Sequence, residues 1–518
     1  MKYNKLYKLP RPSDTPSKFE GDIIPNVVRS LILSSFFFLL FSFSFLPSAF
    51  SQIDPPLRIE LECAKDQQDY KFASLENQGV AVFYKSEILS MDTVQWVFIH
   101  YDTNLVKINQ YKLKLPNSYQ YMAADFSNNK LYLFLQKPAR KKDPLKNYLL
   151  EWNLITSEFQ LFDLQNHTEQ LLSSLHVTDD YLFMIADEQK TKSICYYNFK
   201  TNAKQTVQIT DAEVTAIESF RIDTLTKTTY FCMFLKNKQN SRAELFVTDY
   251  SGNIKERIVF PSYNDFIYNS VEIALVGKDS LLLVGGYTNS KEKKPKGSFS
   301  GIYTMHFSKN KFSANHTYPF QTQPTKDSVL SKKPLSEPNQ LMNLHITQSN
   351  GKVFAITEFF YPEYQNSSSS FRNYGNSGFG FPLQSFLGFR FLNAEILEFN
   401  ASGTLTNQWY FPVIDVLTQS IFHLVNLYQD SEENTLFYYV HRNNIVSQFM
   451  NGKRLISPQT TIPIELTNKA DVSEYSTDVN IKHWYNNNFL LSGYQYIKNT
   501  QRNKGKRYVF FINKLTCD

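Results

Sequence analysis

A short, wholly apolar strand recurs along the chain, and its spacing limits the possible folds more than any other feature. Copies stand at Val80–Tyr84, Leu131–Leu135, Tyr181–Ile185, Tyr230–Phe234, Leu281–Val284, Val353–Ile356, Leu436–Val440 and Phe489–Leu491. The first five recur at about 50 residues, the period of a propeller blade, and the later gaps are widened by insertions. Most copies follow a polar turn, as at Ser127–Lys130, Thr178–Asp180, Gly277–Ser280, Ser349–Lys352 and Asn486–Asn488. Such turns lead a hairpin into a strand. After every copy but the last comes a second hairpin, turning at Thr156-Ser157, Ser251-Gly252, Ser402-Gly403 or Asn451-Gly452, where Gly or a polar residue supplies positive φ. Each unit is therefore four antiparallel strands.

The first strong strand of each unit is apolar throughout, as a strand buried on both faces must be, whereas the later hairpin alternates, as expected near a solvent-facing rim. This predicts an all-β fold: a single β-propeller of about eight four-stranded blades, with seven possible if one copy is misread. The rungs of a β-helix are too short for this period, and two stacked sandwiches are the stronger rival. The final unit ends at Tyr508–Ile512 without an outermost strand, while Pro56–Glu62 is a strand-like segment left over at the start. The two should pair and close the ring. No Trp-Asp series is present, and the double glycine Gly285-Gly286 occurs once. On architecture alone the chain resembles secreted bacterial propeller proteins with degenerate repeats.

Composition agrees with strands: aromatics are 15% of the chain, with 44 Phe and 32 Tyr, and flat rings pack well on a pleated surface. A net charge of +6 among 20% charged residues is too weak for bulk attraction to nucleic acid, which is excluded as a partner. Near the N-terminus, Leu31–Leu46 is apolar save for Ser, is preceded by Lys2, Lys5, Lys8, Arg11, Lys18 and Arg29, and leads to Ala49-Phe50-Ser51. These are the parts of a secretory signal. Residues 1–51 are read as a signal peptide with a long basic leader, with a retained anchor as the alternative. Residues 52–518 are then the propeller, with loop insertions at 321–340, 361–393 and 457–476. The expected location is secreted, periplasmic or cell-surface, with no membrane span in the mature chain and a monomeric state.

No nucleophile or metal signature is present. Gly297-Ser-Phe-Ser-Gly301 only superficially resembles a nucleophile elbow, since its centre is Phe299 in a Lys-rich loop. The nine histidines are scattered, with His306 and His345 in apparent strands and His167 and His316 inside Asn-x-Thr tripeptides, and read as structural. Four Asn-x-Ser/Thr sites, at Asn166, Asn315, Asn366 and Asn400, matter only in a glycosylating pathway. No catalytic residue, metal ligand or cofactor is expected.

In an antiparallel blade, the loops joining strands two and three and those joining successive blades leave from one face, and all the long segments fall there. Loops on a rigid scaffold commonly carry binding. Lys137, Arg140, Lys141, Lys142, Lys293, Lys294, Lys504 and Arg507 are candidate contacts for an anionic glycan. In 361–393, Tyr361, Tyr364, Tyr374, Phe379 and Phe381 offer flat contact area for a partner, or a plug for the propeller's own axis. The expected function is an exported binding or scaffold propeller contacting a protein or anionic polysaccharide. The alternative is a glycan-acting hydrolase or lyase with axial carboxylates. Cys63, after the first strand, and Cys517, after the last, are candidates for a closing disulfide; Cys195 and Cys232, inside apolar strands, read as buried thiols.

Overall fold

The computed structural model describes residues 57–517 apart from short segments, the longest being 321–340 and 368–382. The leader 1–51 and the insertion 321–340 lie outside the described residues. Strands pair into eight antiparallel sheets, each a propeller blade. We letter the strands of a blade A to D in hydrogen-bonded order. The recurring apolar motif is strand B of every blade: Val80–Ile88, Lys130–Lys137, Tyr181–Glu188, Thr228–Lys236, Ser280–Asn289, Lys352–Ser367, Asn434–His441 and Asn488–Asn499. Neighbouring blades approach chiefly through A strands, which places these strands toward the axis. Among the described residues a single 3-10 turn, Glu76–Gln78, interrupts the β structure. No helix among the described residues is long and apolar enough to cross a membrane.

The apolar burial is divided into eight clusters, each filling one gap between successive blades. Phe83, Trp96 and Phe98 of blade 1 meet Leu131, Leu133 and Trp152 of blade 2, and Phe354, Trp409 and Phe411 of blade 6 meet Val425 and Phe437 of blade 7. The eighth gap closes the ring. There Ile59, Leu490, Phe510 and Ile512 of blade 8 pack on Val80, Val82 and Ile99 of blade 1. Because both faces of strand B are covered in this way, the short motif at its centre is apolar in nearly every position of each repeat. Strand C is also largely buried, as in Lys146–Asn153, so the polar alternation expected of the whole second hairpin is confined to strand D, as in Lys107–Pro116.

Turn chemistry holds the register. Asn128 and Asn129 have φ of 50° and 61°, the two positive values of a type I′ turn between strands A and B of blade 2. At Ser402-Gly403, Gly403 has φ of 83°, and its carbonyl accepts from Thr304 Oγ1 at 2.8 Å on the preceding blade. A Cβ there would stand 2.8 Å from Leu282 Cδ1, so the glycine serves both turn and packing.

Closure follows the expected pairing. Arg58–Glu62 is the outermost strand of blade 8, antiparallel to Arg507–Thr516, with Arg58 opposite Asn513 and Glu62 opposite Val509. Arg58 is fully sealed: it donates to Glu60 at 2.7 Å, to Asn513 Oδ1 at 2.8 Å and to Gln495 Oε1 at 2.6 Å, and lies 4.4 Å above the Phe511 ring. This same antiparallel sense corrects the proposed Cys63–Cys517 disulfide. The Cys63 N–H donates to Tyr508 O, whereas the Cys517 N–H donates to Asn487 O at the far end of the strand. Nine strand residues at about 3.3 Å each separate the two ends by ~30 Å. No disulfide joins Cys63, Cys517, Cys195 or Cys232.

Candidate functional site

Strands B and D of a blade end on the same face, so the B–C loops and the connectors between blades leave from it. The short A–B and C–D turns occupy the other face. Every long segment named above joins B to C or D to the next A, so the strands that flank these segments end on one face.

What the insertions look like differs from expectation. In 361–393, strand B of blade 6 continues to Ser367 and strand C, Leu383–Phe399, starts early, so the blade extends as a hairpin. A two-residue strand, Leu417–Thr418, pairs beside Phe389 and Arg390. In 457–476, strand D of blade 7, Arg454–Pro463, and strand A of blade 8, Asp471–His483, use most of the residues, leaving 464–470 as the connector. Side-chain alternation in these stretches is weak because both strands lie near the rim or axis, which is why they resemble loops in sequence.

Arg140, Lys141, Lys142, Lys293, Lys294, Lys504, Tyr374, Phe379 and Phe381 lie outside the described residues. Lys137 ends strand B of blade 2 directly opposite Lys146, two like charges side by side. Arg507 is not a loop cation. It opens strand C of blade 8 and bonds Glu60 Oε2 at 2.7 Å and Asp471 Oδ2 at 2.6 Å, joining the closure network instead of facing a ligand. Lys506 is likewise paired, with Glu474 at 2.9 Å.

The aromatic residues behave otherwise. Tyr364 is 51% exposed and Phe386 43% exposed, their rings 5.6 Å apart edge to face. Phe386 continues to Phe389 at 5.1 Å and Phe389 to the buried Phe360 at 5.7 Å, so a ladder of rings runs from the core to the hairpin surface. Leu417, Ile421 and Phe422 on the following connector are also exposed, and Gln419 Nε2 ties that connector to Leu387 O at 2.7 Å. Tyr361 stands opposite Arg390, which bonds Glu363 and reaches Asp415 at 3.0 Å. The described part of the insertion is thus solvent-facing and braced, not folded into an axial plug.

Carboxylates near the axis serve blade-to-blade contacts. Asp125 Oδ2 of blade 2 accepts the Val177 N–H of blade 3 at 2.7 Å, and Glu272 Oε2 of blade 5 accepts from Ser219 Oγ of blade 4 at 3.1 Å. The third case is the most developed. Glu358 on strand B of blade 6 is buried; its Oε1 accepts the Leu424 and Val425 N–H groups, at 2.7 and 2.6 Å, where the chain enters blade 7. Asn343 Nδ2, directly opposite on strand A, lies 3.4 Å from Oε2 and 3.0 Å from His423 Nδ1. The His345 ring stacks obliquely on His423, centroids 4.2 Å apart. Burial pushes Glu358 up to about 7 in spite of its donors, and burial with the neighbouring His423 pulls His345 down to about 3. Burial also holds His423 below the usual imidazole range, and its Nδ1 stands 4.0 Å from Glu358 Oε2. No sequence signal marked this group, because its members are separated by 13 and 65 positions and no spacing rule joins a strand pair to the next blade's connector.

No protein-family model matches the chain, and no curated protein matches it. Among solved structures it is similar to the β-propeller domain of the Trilobed protease from Pyrococcus furiosus, at 9% identity and a TM-score of 0.36, over 78% of this chain and 96% of that one. It is also similar to the Dos1 propeller, at 9% identity and 0.39, over 77% and 92%. A eukaryotic initiation factor matches at 11% identity and 0.37, over 87% and 98%. The propeller assignment rests on this chain's own strand order and closure, and what that fold supports is a binding or scaffold propeller.

Proposed function

We propose that the protein is an exported, non-enzymatic binding propeller that engages a partner protein through its long-loop face. The extended hairpin of blade 6 and the connector beside it form the contact. The observation that carries this reading is the exposed ring ladder Tyr364–Phe386, anchored through Phe389 to the core and flanked by Leu417, Ile421 and Phe422. Rigid aromatics with few rotors, gathered in one exposed patch, are what protein interfaces use as anchors. An anionic glycan is the weaker choice, because the described arginine and lysine at the blade 8 loop, Arg507 and Lys506, are already paired with carboxylates. The enzymatic alternative is weakened by the engagement of Asp125, Glu272 and Glu358 in contacts between blades. Export follows from the signal-like leader.

Photo-cross-linking from position 364 or 386 in the producing cell tests the reading. A discrete cross-linked partner is expected, absent with the probe at Ile254 on a rim strand, and its affinity should fall at least tenfold in Tyr364→Ala/Phe386→Ala. Salt-sensitive retention on an acidic polysaccharide that survives this double substitution, with no cross-linked protein, would transfer the function to the basic loops.

A further inference from the structure

We propose that His345, Glu358 and His423 form a binding site for a divalent first-row transition ion, zinc foremost, at the seam between blades 6 and 7. The inference stands apart from the partner-protein reading, since it uses other residues and neither requires the other. One donor atom from each residue lies within 4.8 Å of the other two. Around a tetrahedral ion with bonds of about 2.1 Å, donors stand about 3.4 Å apart, so inward movement of the order of an ångström completes the set. His423 sits in the connector rather than in a strand, and its side chain is 48% exposed, so it is the member free to close and the side from which an ion enters.

Three features separate this group from ordinary packing. His345 Nδ1 is sealed from solvent without a hydrogen-bond partner, an expensive state for a ring nitrogen unless something accepts its lone pair or takes its proton. Glu358 is a buried carboxylate with no cation among its described neighbours. Its Oε1 is oriented by two backbone N–H groups, leaving Oε2 directed to the histidines, the outer-shell support that ligating carboxylates commonly have. Between Oε2 and His423 Nδ1 lies the Asn343 amide nitrogen, whose two hydrogens address both acceptors, so a donor group already occupies the space where positive charge would be satisfied. Rotation of Asn343 clears it. Two imidazoles and one carboxylate suit zinc and its neighbours, not calcium or magnesium, which take oxygen ligands. Three protein donors leave a fourth position for water or an incoming ligand.

The full chain, freed of metal with a chelator and then dialysed, is titrated with zinc chloride against a chromophoric chelator, and with cobalt as a spectroscopic probe. One equivalent should bind, and bound cobalt should show the intense visible absorption of a four-coordinate ion. His423→Ala, at an exposed position, should keep the fold and lower zinc affinity at least tenfold, as should Glu358→Gln. Asn343→Ala should leave affinity unchanged or tighten it, because the amide competes with the ion. No saturable binding by the unaltered chain, or binding that persists undiminished in His345→Ala/His423→Ala, would overturn the site. A loss in Asn343→Ala as large as in His423→Ala, with the fold intact, would also overturn the assignment of donors.

Discussion

Blades 8 and 6 both bury charge, and two carboxylates of blade 6 are held in the opposite way to the charges of blade 8. In blade 8 the charges come as partners: Arg58 with Glu60, Arg507 with Glu60 and Asp471, all within 2.6 to 2.7 Å. The two ends of the described chain meet there, and removing both charges from water is offset by close opposite charge and further hydrogen bonds. In blade 6, Glu358 and Glu395 are buried with only neutral described partners, and both are pushed up to about 7 by burial. Glu395 accepts from Gln408 and lies 3.4 Å from the Tyr410 hydroxyl. A desolvated carboxylate without a cation opposes folding at neutral pH, so blade 6 gives up stability that blade 8 keeps. Such groups concentrate at functional sites, and here they share a blade with the exposed aromatic hairpin.

The largest effect should come from breaking the paired side of this contrast. Arg58→Ala leaves the Asn513 and Gln495 side-chain oxygens without their donor in a sealed position and takes one of two arginines from Glu60, which keeps Arg507, and should cost about 3 kcal/mol. Urea unfolding measured by intrinsic fluorescence would show it. Arg58→Met, which keeps packing on Phe511, should unfold at lower urea than the unaltered chain and at higher urea than Arg58→Ala.

The unpaired side should respond to pH. Folded Glu395 holds its proton more tightly than an unfolded glutamate with a pKa near 4.5. Its favourable contribution is therefore complete below pH 4.5 and is lost as pH rises through about 7. Glu395→Gln removes that loss, so the variant should gain on the unaltered chain by about 2 kcal/mol between pH 5 and pH 8. Equal urea midpoints for the pair at pH 8 would show that the buried carboxylate is compensated after all. The smallest effect belongs to the corrected disulfide: Cys63→Ser should change stability by less than about 0.5 kcal/mol, with or without reductant, because Cys63 is partly exposed and unbonded to sulfur.

Repeat period, turn residues and the apolar centre of strand B were enough to read about eight blades, with seven left open, and their closure, because each is a local or periodic consequence of burying both faces of a sheet. The leftover Arg58–Glu62 strand and the incomplete last unit pointed to each other for the same reason: an unpaired strand edge inside a ring is costly. The direction of pairing, however, decides which ends meet. Antiparallel order sends Cys63 and Cys517 to opposite ends of one blade, and it draws Arg507 into the closure network although its neighbours in sequence are loop cations. The same holds for the group at the blade 6 and 7 seam. His345, Glu358 and His423 occupy a strand, its hairpin partner and the next blade's connector, and they meet only because two blades pack face to face around a common axis. Hydrophobic periodicity records which face of a strand is buried; it carries no record of which polar side chains from distant turns of the ring will share the buried space.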